Sequence, residues 1–302
     1  MLPEGATGWF GKLPAQGDFL RGGMADPLVQ RFAGWLEEAS EACHRAGARP
    51  AAGVRFAWRP AGEARLLVGT LRDSVDKVGR LFPLAIFAPA GGAGLAAGFP
   101  GLPSAWSGFL GAAEALLAEA PALDAAGFAA RAQALPLPGA REAAAAGPPG
   151  DGDPAAPVLA RLFGDPAAGG HLYAFHTFRF ACGKHRGREP VRAEVLLDCP
   201  VEGPADVRLW LEAAGRTLAW PAPPPFLWRE GPDPRLCLSL GAPPGAALLA
   251  LCDPPRDHPK IWPLRTTRAA AVESARKALG PAAAALDRAG ATVGELIATL
   301  SR

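Results

Sequence analysis

Two stretches concentrate the side chains that could do chemistry. Residues 8–20, GWFGKLPAQGDFL, set Lys12 and Asp18 on either side of Pro14 and Gly17; residues 72–84, RDSVDKVGRLFPL, crowd Asp73, Ser74, Asp76, Lys77 and Arg80 into one polar connection. An ammonium, a guanidinium and several carboxylates could make an ion-paired surface for a partner, or a small-ligand site with a perturbed ionisable group. Ser74 could also be read as a hydrolytic nucleophile. Known catalytic patterns do not support the last reading. Lys12 follows Gly11, but Leu13 stands where a phosphate loop needs Ser or Thr, and the upstream glycine spacing differs. There is no G-x-S-x-G elbow, and a triad would have to bring Ser74 to His44, His171 or His176 with nothing in the sequence directing it. Cys182, His185, His171, His176 and Cys199 show no repeated ligand spacing of the kind zinc sites use. The expectation is no catalytic residue, no metal and no cofactor. Charged groups beside buried strands need partners, so the two stretches should hydrogen-bond turn backbone and pair with one another. Lys12, Asp18, Asp76 and Arg80 could also face a partner, since a rigid turn is a good platform.

The elements that would position these residues are readable. Trp9 and Phe10 open a buried strand over 9–13. Gly79 can supply a backbone angle that other residues resist. Asp26-Pro27 starts a helix, with Asp as cap and Pro at the first position, running to near Gly47 with Leu28, Phe32, Trp35, Leu36 and Ala39 on one face. Residues 54–58 and 65–71 are strand-like around a Pro60-Ala61-Gly62 turn, and 81–88 is a third run. Three strands with short connections favour antiparallel neighbours. Ser104 is expected to cap a helix through Ala120, and Asp124 a second one to about Ala134. Residues 171–182 and 191–199, flanking 183–187, read as a hairpin. Helices are expected over 206–218 and 246–251, and across the Ala-rich end, interrupted at Gly280-Pro281 and Gly290.

The chain has 302 residues, enough for one large domain or two ordinary ones. With 49% hydrophobic and 20% charged residues it is a globular composition, and 37 glycines and 33 prolines imply many loops. Four segments are expected: 1–134; a Pro/Gly/Ala-rich linker or insertion at 135–157; 158–262, completing the first part or forming a second α/β subdomain; and a helical tail at 263–302. A net charge of +2 without a basic run argues against nucleic-acid binding. The first residues lack a basic region leading into an apolar core, so a cytoplasmic location is expected. Residues 81–113 carry no charge, yet prolines break them up too often for a spanning helix. Five cysteines without CxxC spacing read as reduced thiols.

The two polar stretches resemble the TagF (ImpM) family, associated with bacterial type VI secretion, whose pattern is G-F-F-G-K-L-P-x-x-G-D-F followed by S-V-D-x-V-G-R-x-F-P-L. Trp9 stands in place of the first Phe, and Arg72-Asp73 where a small residue and Pro often precede Ser74. Weaker similarity resumes at 225–254, through Phe226, Leu227, Trp228, Gly231, Gly241 and Pro243. The resemblance implies a three-layer α/β sandwich with a largely antiparallel central sheet and helices on both faces. It implies Gly11, Lys12, Pro14, Gly17, Asp18, Phe19, Ser74, Asp76, Gly79, Arg80 and Pro83 as motif or partner-binding residues. The implied function is a non-enzymatic repressor of secretion that sequesters a forkhead-associated scaffold or another apparatus component, without nucleic acid or membrane insertion. The alternatives are a structural or accessory component of the apparatus, or a small-ligand-sensing or hydrolytic domain.

Overall fold

A computed structural model describes residues 5–51, 53–91, 95–139, 151–252, 258–266, 268–288 and 290–301. Its centre is a nine-stranded sheet made of β1 (Gly8–Lys12), β2 (Phe19–Gly22), β3 (Val54–Trp58), β4 (Leu66–Arg72), β5 (Leu84–Ala90), β6 (Leu196–Cys199), β7 (Phe226–Arg229), β8 (Arg235–Ser239) and β9 (Ile261–Pro263). The order is β2-β1-β5-β4-β3-β7-β8-β6-β9, antiparallel throughout except for the parallel pair β6 and β9. One pairing joins the two halves of the chain. In it β3 lies against β7, with Phe56 opposite Leu227.

Helices cover both faces. On one lie α1 (Pro27–Ala46) and, from later in the chain, a seven-residue helix at Ala246–Cys252. On the other lie α2 (Ser107–Glu119), α3 (Ala125–Gln133), α4 (Ala155–Phe163), α5 (Gly170–Gly183) and α6 (Pro204–Leu218). The Ala246–Cys252 helix is α7, and the chain finishes with α8 (Ala269–Leu279), α9 (Pro281–Leu286) and α10 (Val293–Leu300), whose Leu279, Leu286, Val293, Ile297 and Leu300 join the second core. The three-layer α/β arrangement expected from the resemblance is the one observed.

Successive strand residues point to opposite faces, and both faces are covered, so the strands read as continuous apolar runs. Phe10, Phe56, Leu67 and Phe87 enter the core under α1, while Trp9, Ala57, Val68 and Ile86 enter the other. Phe32 of α1 is fully buried, with ring centroids 4.9 Å from Phe56 and 5.1 Å from Phe87. Burying one such ring contributes about 1.5–3 kcal/mol. Asp26 caps α1 by accepting from Leu28 N at 2.9 Å, and Arg65 holds the same carboxylate at 2.9 Å. The helix ends at Gly47, φ 70°, as expected for a left-handed cap.

Some local expectations fail. Residues 171–182 are not a hairpin arm but helix α5, and of the second arm only Leu196–Cys199 is a strand. Leu172, Phe175, Phe178 and Cys182 recur at three- and four-residue intervals and are all buried, so the helical period outweighs the alternation. Ser104 does not cap α2. It lies in a short helical turn, and its carbonyl accepts from the Ser107 hydroxyl at 2.8 Å. The third run begins its strand at Leu84, while Leu81 makes only an isolated bridge to Val75. Within the expected linker, residues 140–150 lie outside the described residues, and Ala155 already begins α4.

Candidate functional site

The two motifs meet at one corner of the sheet. Gly11 pairs with Leu84 across β1 and β5. Its φ is +145°, and a Cβ there would lie 2.1 Å from the Pro83 carbonyl oxygen and 2.6 Å from Leu84 Cα. Only glycine lets the strands approach this closely. Pro83 is buried against it.

The next residue, Lys12, is buried at the end of β1, and its Nζ donates to Asp76 Oδ2 at 2.7 Å. The Asp76 side chain is fully enclosed. Oδ2 also accepts from Arg80 Nε at 2.6 Å, while Oδ1 accepts from the amides of Val78 at 3.0 Å and Arg80 at 2.9 Å. One carboxylate therefore closes its own loop and ties it to β1. Burial pushes the Asp76 carboxyl up, but the Lys12 ammonium, the Arg80 amide and guanidinium and the Val78 amide outweigh it. The group is held well below the usual carboxylate range.

Backbone contacts complete the lock. Lys77 N donates to Gln16 O at 2.8 Å, Gly79 N to Asp76 O at 2.9 Å and Phe82 N to Ser74 O at 3.0 Å. Arg80 Nη2 reaches Gly17 O at 2.6 Å. Gly79 has φ +85°, the left-handed angle expected of it. Under the loops, Phe19 stacks on Phe10 at 5.2 Å and meets the Phe82 edge at 4.8 Å, with Lys12 Nζ 5.5 Å from the Phe19 centroid.

Of the residues singled out from sequence, Gly11, Lys12, Phe19, Asp76, Gly79, Arg80 and Pro83 are brought together. Gly17 and Ser74 serve through their carbonyls. A Cβ on Gly17 would meet nothing within 4 Å. Pro14 is half-buried in the turn between β1 and β2. Asp18 is exposed and makes no ion pair among the described residues. Sequence reasoning named none of Phe10, Phe82, Val78 and Leu81 as site residues, placing Phe10 in the first strand and Leu81 and Phe82 in the third run. The two phenylalanines sit inside the motifs and complete the aromatic cluster. The aliphatic pair is the unexpected part. Among the described residues four large apolar side chains are exposed, and this loop carries two of them, Val78 at 71% and Leu81 at 40%.

Beside the loop lies an open cavity of about 700 Å³, walled by Glu37, Ser40, Cys43 and His44 of α1 and by Ser74, Arg80 and Phe82 of the motif. Ser74 and His44 line it without a hydrogen bond between them. Among the described residues no group of three or more His, Cys, Asp or Glu could hold a metal ion. His171, one of the residues considered as a ligand, instead places Nε2 2.8 Å from Asp287 Oδ1.

Fold and site together define a three-layer α/β protein with two motif loops locked at one sheet corner by a buried carboxylate. Residues 8–135, which contain both loops, match the TagF N-terminal domain family, type VI secretion system-associated. The resemblance read from the two motifs thus holds over that region. A crystal structure of PA0076 from Pseudomonas aeruginosa PAO1 is also similar, at 26% identity and a TM-score of 0.39, covering 44% of this chain and 64% of that one. The chain therefore spans less than two thirds of the length of that protein. No curated protein matches the chain. Among the described residues no helix is long and apolar enough to cross a membrane.

Proposed function

We propose that this chain is a non-enzymatic, cytoplasmic repressor of type VI secretion that works by holding an apparatus protein, the forkhead-associated scaffold being the partner of choice. The observation that carries the reading is the motif loop. Asp76 fixes its backbone from within, so Val78 and Leu81 are displayed in one conformation next to the outward Lys77 and Arg80, whose side chain is 62% exposed. Exposed apolar groups rimmed by charge on a rigid turn suit protein recognition, because little ordering entropy is lost on binding. The buried members of the motif then have a positioning role, and the exposed ones make the contact.

The test is a pull-down of the forkhead-associated scaffold from the source bacterium, with wild-type bait and a Val78→Glu/Leu81→Glu variant. Wild type recovers the scaffold and the variant loses it. Equal recovery would remove this loop from the interface. In cells, overproduction should silence secretion and deletion should raise it; unchanged secretion in both would remove the repressor role.

A further inference from the structure

Helices α1 and α7 cross closely over the first face of the sheet. A Cβ on Gly245, just before α7, would lie 2.9 Å from the Glu38 carbonyl carbon and oxygen, so a bare glycine permits the approach. The crossing brings the buried Cys43, near the end of α1, to 4.0 Å from Cys252, the last residue of α7, sulfur to sulfur. The two are 209 positions apart, and both are free thiols.

Their surroundings separate this pair from the other cysteines. Cys182, Cys199 and Cys237 are fully enclosed, and burial pushes each of their thiols up. Cys43 lines the cavity of about 700 Å³ beside the motif loop, and Cys252 is half-buried. The hydrogen bond the two sulfurs share is asymmetric in effect. It lowers Cys43 against the opposing effect of burial, and it raises Cys252 together with burial. The thiolate is the attacking species in disulfide exchange, and Cys43, which lines the cavity with Cys252 at 4.0 Å from it, is the sulfur an incoming small disulfide meets first.

We propose that Cys43 and Cys252 form a reversible disulfide by exchange with a low-molecular-weight disulfide such as oxidised glutathione, entering through this cavity. The Cys43 thiolate attacks one sulfur of the small disulfide, whose S–S bond breaks and releases one small thiolate. A mixed disulfide is left on Cys43. Cys252 then gives up its proton and attacks the Cys43 sulfur, displacing the second small thiolate. One small disulfide is reduced to two thiols, which take up the two protein protons, and one protein disulfide is formed. Closure brings the sulfurs from 4.0 Å to the bonded distance of about 2.05 Å. The product staples α1, within the region that matches the TagF family, to α7 near the end of the sheet-forming chain. A cross-link over so long a loop restricts the unfolded chain strongly.

The purified full chain is incubated with oxidised glutathione, and non-reducing peptide mapping and denatured thiol counts are read. The expected result is loss of two of the five thiols, a cross-linked peptide joining Cys43 to Cys252, a higher melting temperature, and reversal of all three by dithiothreitol. Cys252→Ser should instead retain glutathione on Cys43 as a stable mixed disulfide. Five free thiols after treatment, or glutathione adducts on wild type without the internal cross-link, would overturn the proposal. The wild-type measurement decides this whether or not the variant folds.

Discussion

Lys12 and Asp76 lie 64 positions apart in the chain and 2.7 Å apart in the fold, with the carboxylate enclosed and the lysine side chain about nine-tenths buried. A strand end and a loop that share no backbone ladder are joined through this pair. Removing one partner of such a pair leaves the other charge buried and uncompensated, which costs more than replacing both. Lys12→Met should therefore lower the melting temperature by several degrees, and Lys12→Met/Asp76→Asn by less than the sum of the two single changes. Additive losses in thermal melts would show that the two side chains do not act as a unit.

The pH dependence follows from the same carboxylate. Asp76 has a lower pKa folded than unfolded, so as pH falls the unfolded chain takes up the proton first. Its stabilising contribution is complete above the unfolded value of about 3.9 and declines as pH drops towards the folded value. The difference in melting temperature between wild type and Asp76→Asn should stay constant from about pH 7 to pH 5 and shrink below about pH 4. A difference that persists undiminished at pH 3 would contradict this.

Three of the motif glycines should respond in order. Gly11→Ala meets both a clash with Pro83 O and a left-handed backbone, and should be the most damaging. Gly79→Ala meets open space but keeps φ at +85°, at a cost of about 1–2 kcal/mol. Gly17→Ala meets nothing and should stay within about 0.5 kcal/mol of wild type. Chemical denaturation of the three variants gives the ranking directly, and a Gly17 variant as unstable as the Gly11 variant would refute it.

Stability and recognition should separate by residue. Phe32→Ala empties a site between Phe56, Trp58 and Phe87 and should cost about 3–5 kcal/mol. Val78→Ala and Leu81→Ala, on the exposed loop, should each change stability by less than about 0.5 kcal/mol while weakening scaffold capture. Denaturant midpoints measured alongside the pull-down distinguish the two effects.

How much of this was legible in the sequence depended on whether the signal was local. Asp26-Pro27 at one end and Gly47 at the other bracket α1 because caps act within a few residues. Gly79 announced its left-handed angle for the same reason, whereas the angle of Gly11 did not show until β1 met β5. Helix α5 was misread because HLYAFHTFRFAC alternates in polarity as well as repeating helically, and packing against neighbouring helices selects one period; Phe178 lies 5.2 Å from the Trp210 indole of α6. At the corner, the residue types identified a charge cluster but not its pairing. Lys12 and Arg80 both reach Asp76, whereas Asp18, equally suited by chemistry, points to solvent. Which carboxylate is enclosed depends on the meeting of β1 with a loop more than sixty residues away, and no short-range pattern encodes that.

The pairing of β3 with β7 has a practical outcome for anyone expressing the region that bears the family signature. A fragment ending at residue 135 would carry Val54–Trp58 as a raw border strand, its peptide groups facing water where Phe226–Arg229 should be. Unshielded borders of that kind recruit other chains. Such a truncation is expected to form soluble oligomers or precipitate, and supplying the later strands in the same polypeptide is the remedy.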